Sequence, residues 1–215
     1  MKNLAIAISV AVASSACLAQ KSAFATLRFG DLVQVDLPRN WTYLDPNVAA
    51  HLNTSSEAVG KTIGIDSPQG NNAVLAAANA YDSAGKTKAT LRVSYRAETG
   101  LSQAQMRELA RLSPSEVEAL LRPSADATIK AILQMPGVKS YRATELRIDT
   151  SGPLVCSLSR FEGDYGGRMM VSDTWLCPIA TGNLKLTTSH EKVFATVYVP
   201  TFANVRRSLV SPIRP

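Results

Sequence analysis

Cys156 and Cys177 carry the most distinctive chemistry in the body of the chain. A cysteine can serve as a nucleophile, a metal ligand or half of a disulfide, and each role needs different company. A thiol nucleophile needs a base. His190 is the histidine closest in sequence, and His51 is the only other. Such a pair acts through a free thiolate and so requires a reducing compartment. A metal site needs more ligands at short spacing, and the two histidines are far apart with no His-x-x-x-His pattern. For the third role, pairing of the two cysteines, the sequence supplies a geometry.

Pro153 to Ile179 reads as two strand-like runs around Gly166-Gly167. Gly-Gly provides the positive φ angles of a two-residue type I′ hairpin turn. With that turn, Tyr165 faces Arg168, Arg160 faces Asp173, Leu158 faces Trp175 and Cys156 faces Cys177. One register thus yields an opposite-charge pair, an aliphatic–aromatic pair and a cysteine pair on one face. The cysteines fall on a non-hydrogen-bonded pair, where Cα atoms lie about 4.5 Å apart, within reach of a disulfide. Two unconnected buried thiols, or a register shifted by a bulge at Gly163, are the alternatives. The turn also offers a candidate interaction tip of Asp164, Tyr165 and Arg168, a tyrosine on a Gly-rich loop giving contact area at small entropic cost. The plainer reading of the same residues is an ordinary exposed turn.

Other motifs fail on chemical grounds. Gly60-Lys61-Thr62 and Gly85-Lys86-Thr87 resemble the end of a phosphate-binding loop, but the glycine required five residues earlier is Ser55 in one and Ala80 in the other. No Gly-x-Ser-x-Gly elbow occurs. Glu162 and Asp164 beside the turn read as solubilising charges rather than a glycosidase pair. His190-Glu191 reads as the solvent-facing end of a strand. No metal and no cofactor is expected.

These residues need a compartment and a scaffold. Lys2 precedes an apolar run from Leu4 to Val12, followed by small residues through Ala19. This is the pattern of a signal peptide over residues 1–19, with cleavage before Gln20 and a second candidate site after Ala25. Cys17 raises a lipoprotein reading, but the lipobox would begin with Ser14 where an apolar residue is usual. Removing one lysine leaves 22 basic against 17 acidic residues, a charge of +5, scattered rather than clustered. Scattered charge of this size suits an ordinary surface or an acidic envelope partner, not nucleic acid. No later segment reaches membrane-span length. Two cysteines in the exported chain fit an oxidising compartment.

Residues 20–31 read as a flexible leader and 32–211 as a single domain. Leu32–Leu37 alternates like a strand, and Trp41–Tyr43 resumes it. Asp45-Pro46 opens a short helix, and 53–72 form an irregular Ser/Thr/Gly/Asn-rich stretch. Ala73–Tyr81 and Lys88–Ala97 form a hairpin. Ser102-Gln-Ala-Gln105 and Ser113-Pro-Ser-Glu116 are capping boxes, and Pro123-Ser124 divides the second helical run to give a third segment. Tyr141–Ile148, the cysteine hairpin and Leu184–Thr188 form a four-stranded meander, and Val199–Val210 closes the chain as a helix. The expected class is α+β: an antiparallel sheet with helices packed on it.

Three segments carry a family resemblance. LVQVDLPRNWTYL (Leu32–Leu44), LRIDTSGPLVCSLSRFEG (Leu146–Gly163) and the ending LKLTTSHE…YVPTFANVRRSLV, with its Ser208-Leu209 pair, resemble in pattern and order the PsbP-like and DcrB-like α/β/α sandwich families. The resemblance implies that fold and a mostly non-catalytic set of roles: assembly factors, protein partners and secretion adaptors. It carries over no functional residue. The expectation is a periplasmic or secreted, non-enzymatic protein with an unknown protein partner in the envelope, of assembly-factor or inhibitor/immunity type. A small-ligand or peptidoglycan-fragment binder, with a groove between the sheet and residues 53–72, is the second reading, and an envelope hydrolase the last.

Overall fold

The computed structural model describes residues 23–44, 72–98 and 100–212. The expected signal segment, the short helix after Asp45, His51 and all but the last residue of 53–72 lie outside them. Nine strands and three α-helices follow in order: β1 (Phe24–Phe29), β2 (Val33–Pro38), β3 (Thr42–Tyr43), β4 (Asn72–Tyr81), β5 (Thr87–Arg96), α1 (Gln103–Leu109), α2 (Pro114–Leu133), β6 (Val138–Asp149), β7 (Cys156–Tyr165), β8 (Arg168–Ile179), β9 (Gly182–Glu191) and α3 (Ala195–Ser208). A 3₁₀ turn, Lys192–Phe194, joins β9 to α3.

Seven strands form one antiparallel sheet in the order β3-β4-β5-β9-β8-β7-β6. The meander β6 to β9 is local, each strand pairing with the next, β7–β8 and β8–β9 through two-residue turns and β6–β7 through residues 150–155. The β4–β5 hairpin joins it along β5–β9. One face, the inner face, is covered by the β1–β2 hairpin and α3. Val33, Val35 and Leu37 of β2 are fully buried there with Phe202, Val205 and Leu209, around the cysteines and the alanines of β4. Trp41 meets the rings of Tyr198 and Phe202 edge-on, both at 5.8 Å. Alanine is a poor strand former, but in β4 its small side chain lets Trp41 and this layer settle close to the sheet. On the opposite, outer face α2 packs over β6 and β7, with Ala125 against Leu146 and Phe161. The chain is therefore α+β with an antiparallel sheet between two layers.

Three expectations need correction. Residues 24–29 are not a flexible leader: they pair with β2 from Phe24↔Pro38 to Phe29↔Val33. Gly30, at φ 54°, makes the turn, and the alternation of Ala25, Leu27 and Phe29 is that of a half-buried strand. Second, Pro123 does not divide the helix. Proline deletes one hydrogen bond, to the carbonyl four residues back, but Ala119 and Pro123 are both exposed, so water can satisfy the freed carbonyl. Third, α3 begins at Ala195 rather than Val199 and runs through Pro200, again with Thr196 and Pro200 in solvent. Both capping boxes are present, Ser102 with Gln105 and Ser113 with Glu116. Among the described residues, no helix is long and apolar enough to cross a membrane.

Candidate functional site

The cysteine hairpin folds in the expected register, from Tyr165↔Arg168 through Arg160↔Asp173 and Leu158↔Trp175 to Ser157↔Leu176. Gly166 and Gly167 both take positive φ, 61° and 83°. One step further out, Cys156 and Cys177 form a disulfide with Cα atoms 4.3 Å apart. The next pair in this register is Val155 and Pro178. An antiparallel ladder would join it by two hydrogen bonds, but Pro178 has no N–H to give. The side chain of Gln103, on α1, fills the gap. Its Nε2 donates to the carbonyls of Val155 (2.9 Å) and Pro178 (2.7 Å), and its Oε1 accepts from the Val155 N–H (2.9 Å). One buried amide thereby replaces the missing ladder bonds and ties α1 to the base of the hairpin.

At the tip, the three predicted residues are already engaged. Asp164 accepts a hydrogen bond from the Gly167 N–H at 2.7 Å, which stabilises the turn rather than projecting from it. Tyr165 is half-buried, edge-on to Tyr141 at 6.0 Å, and Tyr141 stacks on Phe161 at 5.1 Å. Burial raises the hydroxyl pKa of both tyrosines. Arg168 reaches Glu191 at 3.3 Å.

On the inner face the meander carries a ladder of charges. Arg142 faces Glu162 and Glu145 faces Arg160 across β6–β7, and Arg160 faces Asp173 across β7–β8. Arg160 binds both oxygens of Asp173 through two nitrogens, at 2.6 and 2.8 Å, and reaches Glu145 at 3.0 Å. Such two-point pairs are the strong ones. His190 lies beside this ladder and is 2% exposed, not solvent-facing. The reason is α3, which lays Phe202 and Tyr198 against the imidazole at 5.7 and 6.4 Å. Its Nε2 has no hydrogen-bond partner among the described residues.

Burial, helped by the charge of Arg160 and opposed by Asp173, lowers the His190 pKa below its ordinary value. A histidine whose folded pKa is depressed stabilises the fold above its unfolded pKa, about 6.5, and loses that contribution as pH falls through the folded pKa. Unfolding free energies measured by urea titration from pH 7.5 to 5 should therefore fall on acidification, by at most about 1.4 kcal/mol per pH unit from this group. His190→Phe, which keeps the aromatic packing, should flatten that profile; identical slopes in the two proteins would rule the effect out.

A second buried network escaped sequence reasoning. Asp149, at the end of β6, and Arg206, in α3, are each 1% exposed. Asp149 accepts from Arg206 Nε (2.8 Å), Trp175 Nε1 (2.9 Å), Arg147 Nη1 (3.0 Å) and the Ser151 hydroxyl (3.1 Å) and N–H (3.2 Å). Arg206 Nη2 also donates to the carbonyls of Asp149 (3.2 Å) and Leu154 (2.6 Å). Gly152 makes this approach possible: a Cβ there would lie 2.9 Å from the Arg206 carbonyl oxygen and collide with its guanidinium. The visible signal was Asp-Thr-Ser-Gly-Pro, a turn with a carboxylate at its head, but its basic partner is 57 residues away.

The outer face is covered unevenly. Away from α2, the strands β8, β9 and β5 present a shelf of half-buried hydroxyls, among them Ser172, Thr174, Thr187, Ser189 and Thr90. Ser172 donates to Ser189 at 3.1 Å. Arg92 lies among them, held by the Ala78 and Leu91 carbonyls and Asn79 Oδ1 at 2.8–3.2 Å. An antiparallel sheet can leave one face to solvent in this way. Among the described residues no group of His, Cys, Asp and Glu is placed to hold a metal ion.

No family model matches this chain, and no curated protein matches it. Solved structures do resemble it. PsbP of the cyanobacterium Synechocystis sp. PCC 6803 is 12% identical, over 88% of this chain and 92% of that one, with a TM-score of 0.48. The chain resembles the PsbP-like fold. LpqN of Mycobacterium tuberculosis, involved in cell envelope biogenesis, is 10% identical over 87% and 89% of the two chains, TM-score 0.43. The T6SS immunity protein TplEi of Pseudomonas aeruginosa is 11% identical over 89% and 98%, TM-score 0.40. At these identities the likeness is one of fold alone. In the fold of this chain the three sequence motifs become β2–β3, the β6–β7 connection with its Asp149 network, and β9 with α3.

Proposed function

We propose that the protein is exported and acts without catalysis, through a protein contact in the cell envelope, as an assembly factor or an immunity-type inhibitor. One observation carries this reading: among the described residues, the reactive side chains are built into the scaffold. Cys156 and Cys177 are joined to each other. His190 is walled in by Tyr198 and Phe202. Asp149 and Asp173 are saturated by arginine and other donors. What faces outward is a shelf of hydrogen-bonding side chains on a rigid sheet, which suits recognition rather than bond making. The signal-like residues 1–19 and the buried disulfide support export.

Site-specific photo-crosslinking in living cells tests this. A photoreactive residue at Thr174 or Thr187, on the shelf, should give one adduct of constant mass. The same residue at Glu118, on the exposed side of α2, should not. Equal adducts at all three positions, or none on the shelf, would defeat the proposal.

A further inference from the structure

Where β9 passes into α3, beside the β7–β8 turn, cations converge. Lys86, Lys88 and Arg168 all reach the same oxygen of Glu191, at 4.0, 3.5 and 3.3 Å. Lys192 and Arg142 share Glu162, at 2.9 and 3.4 Å. Lys88 also reaches Asp82 at 3.3 Å, so five basic groups share three carboxylates and the surplus is +2. Lys139 and Asp164, at the same end, cancel. The layering matters more than the count. The side chains of Glu191 and Glu162 are 11% and 15% exposed, while those of Lys86 and Lys192 are 51% and 52% exposed. Glu191 and Glu162 form a floor, and Lys86, Lys192, Arg168 and Arg142 face out.

At the same junction three apolar side chains are exposed. Val193 is 78% exposed, Val197, one turn on, 58%, and Met169 43%. Met170 pairs with Glu191 as the last rung of β8–β9, so Met169 and Lys192 leave the sheet side by side. Lys88 Nζ lies 5.0 Å over the Phe194 ring, fixing the junction from beneath. Exposed aliphatic side chains at the end of a rigid element, close in the chain and in the strand register to Lys192 and Arg168, match the interfacial region of an anionic bilayer: the cations meet the headgroups and the aliphatic tips enter below them.

From this juxtaposition we propose that the β9–α3 junction docks the protein on an anionic lipid surface, Val193 and Val197 entering the headgroup layer and Lys86, Arg168 and Lys192 binding lipid phosphates. None of the residues named here is one of the shelf hydroxyls, and the two proposals are tested at different positions, so either can fail alone.

The test is co-sedimentation of the full chain with vesicles of phosphatidylcholine containing about one-third phosphatidylglycerol, against vesicles of phosphatidylcholine alone. Binding should require the anionic lipid and weaken as salt is raised, because surface charge is screened. Each cation near such a surface is worth about a fivefold change in partitioning, so Lys86→Gln with Lys192→Gln should weaken binding about 25-fold. Val193→Ser should weaken it as well. Both sites are exposed, and unchanged melting temperatures will show that the variants fold. Binding that ignores lipid charge, or that both variants retain in full, would place the contact elsewhere, including residues 1–22, and overturn the proposal. Binding to soluble polyglutamate but not to vesicles would overturn it in favour of an acidic protein partner.

Discussion

Asp149→Ala should destabilise the protein by about 3–5 kcal/mol, the usual consequence of removing one partner from a buried ion pair. The substitution strands the Arg206 guanidinium, which is 1% exposed and already has one nitrogen, Nη1, without a partner among the described residues. It also removes the acceptor for Trp175 Nε1. Denaturant unfolding of the wild type and variant measures the loss directly, and a midpoint shifted by less than the scatter of replicates would discard the idea. The pH dependence has a definite sign. Burial raises the Asp149 pKa, but Arg206, Ser151 and Arg147 outweigh it and hold the carboxyl below its ordinary value. A depressed carboxyl contributes its stability above the unfolded pKa, about 3.9, and loses it as pH falls through the folded value. The variant should therefore lack part of the acid sensitivity that the wild type shows below about pH 4.

Loss of the disulfide should be the next largest effect. The bridge spans 21 residues, for which the chain-entropy model gives about 3 kcal/mol. Cys156→Ser with Cys177→Ser should lower the unfolding free energy by that order. Thiol titration of the unreduced wild type, denatured to expose every sulfur, should find neither cysteine free; two titratable thiols from this pair would refute the bridge. The two substitutions will not add simply. Asp149 is the cross-strand partner of Cys156, and neighbours that share a local structure couple. A triple variant should lose less, or more, than the sum, and the difference measures how far the ion pair depends on the clasp.

Much of this hairpin was legible because its determinants are local. Gly166-Gly167 fixes the turn, the turn fixes the register, and the register places Arg160 on Asp173 and Cys156 on Cys177. The starts of α1 and α2 were legible for the same reason, since a capping box spans only four residues; α3 has no such box, and its start was misplaced. What was not legible depends on distant chain. Arg206 and Arg207 are adjacent residues of one type. On a helix, adjacent residues point about 100° apart, and here one faces the sheet and the other solvent, where it bonds Asn204. His190 read as exposed because nothing near it in sequence announces that α3 will close over the strand end. Gln103 read only as part of a capping box; its use as a substitute for two ladder bonds arises from Pro178, 75 residues later. Periodicity indicates which face is buried, but it does not identify the remote group that will satisfy a buried charge or a missing donor.

The position of the disulfide at the base of the hairpin, rather than at its tip, also governs how the protein would meet a protease. The turn around Gly166-Gly167 is the exposed end of a closed covalent ring that runs from Cys156 to Cys177. A single cut anywhere within that ring opens a bond but frees no fragment. Nicked protein would remain one molecule, still stitched along both strands, and would separate into two pieces only after reduction and unfolding. A cell compartment crowded with proteases and held oxidising is the setting in which that tolerance has value.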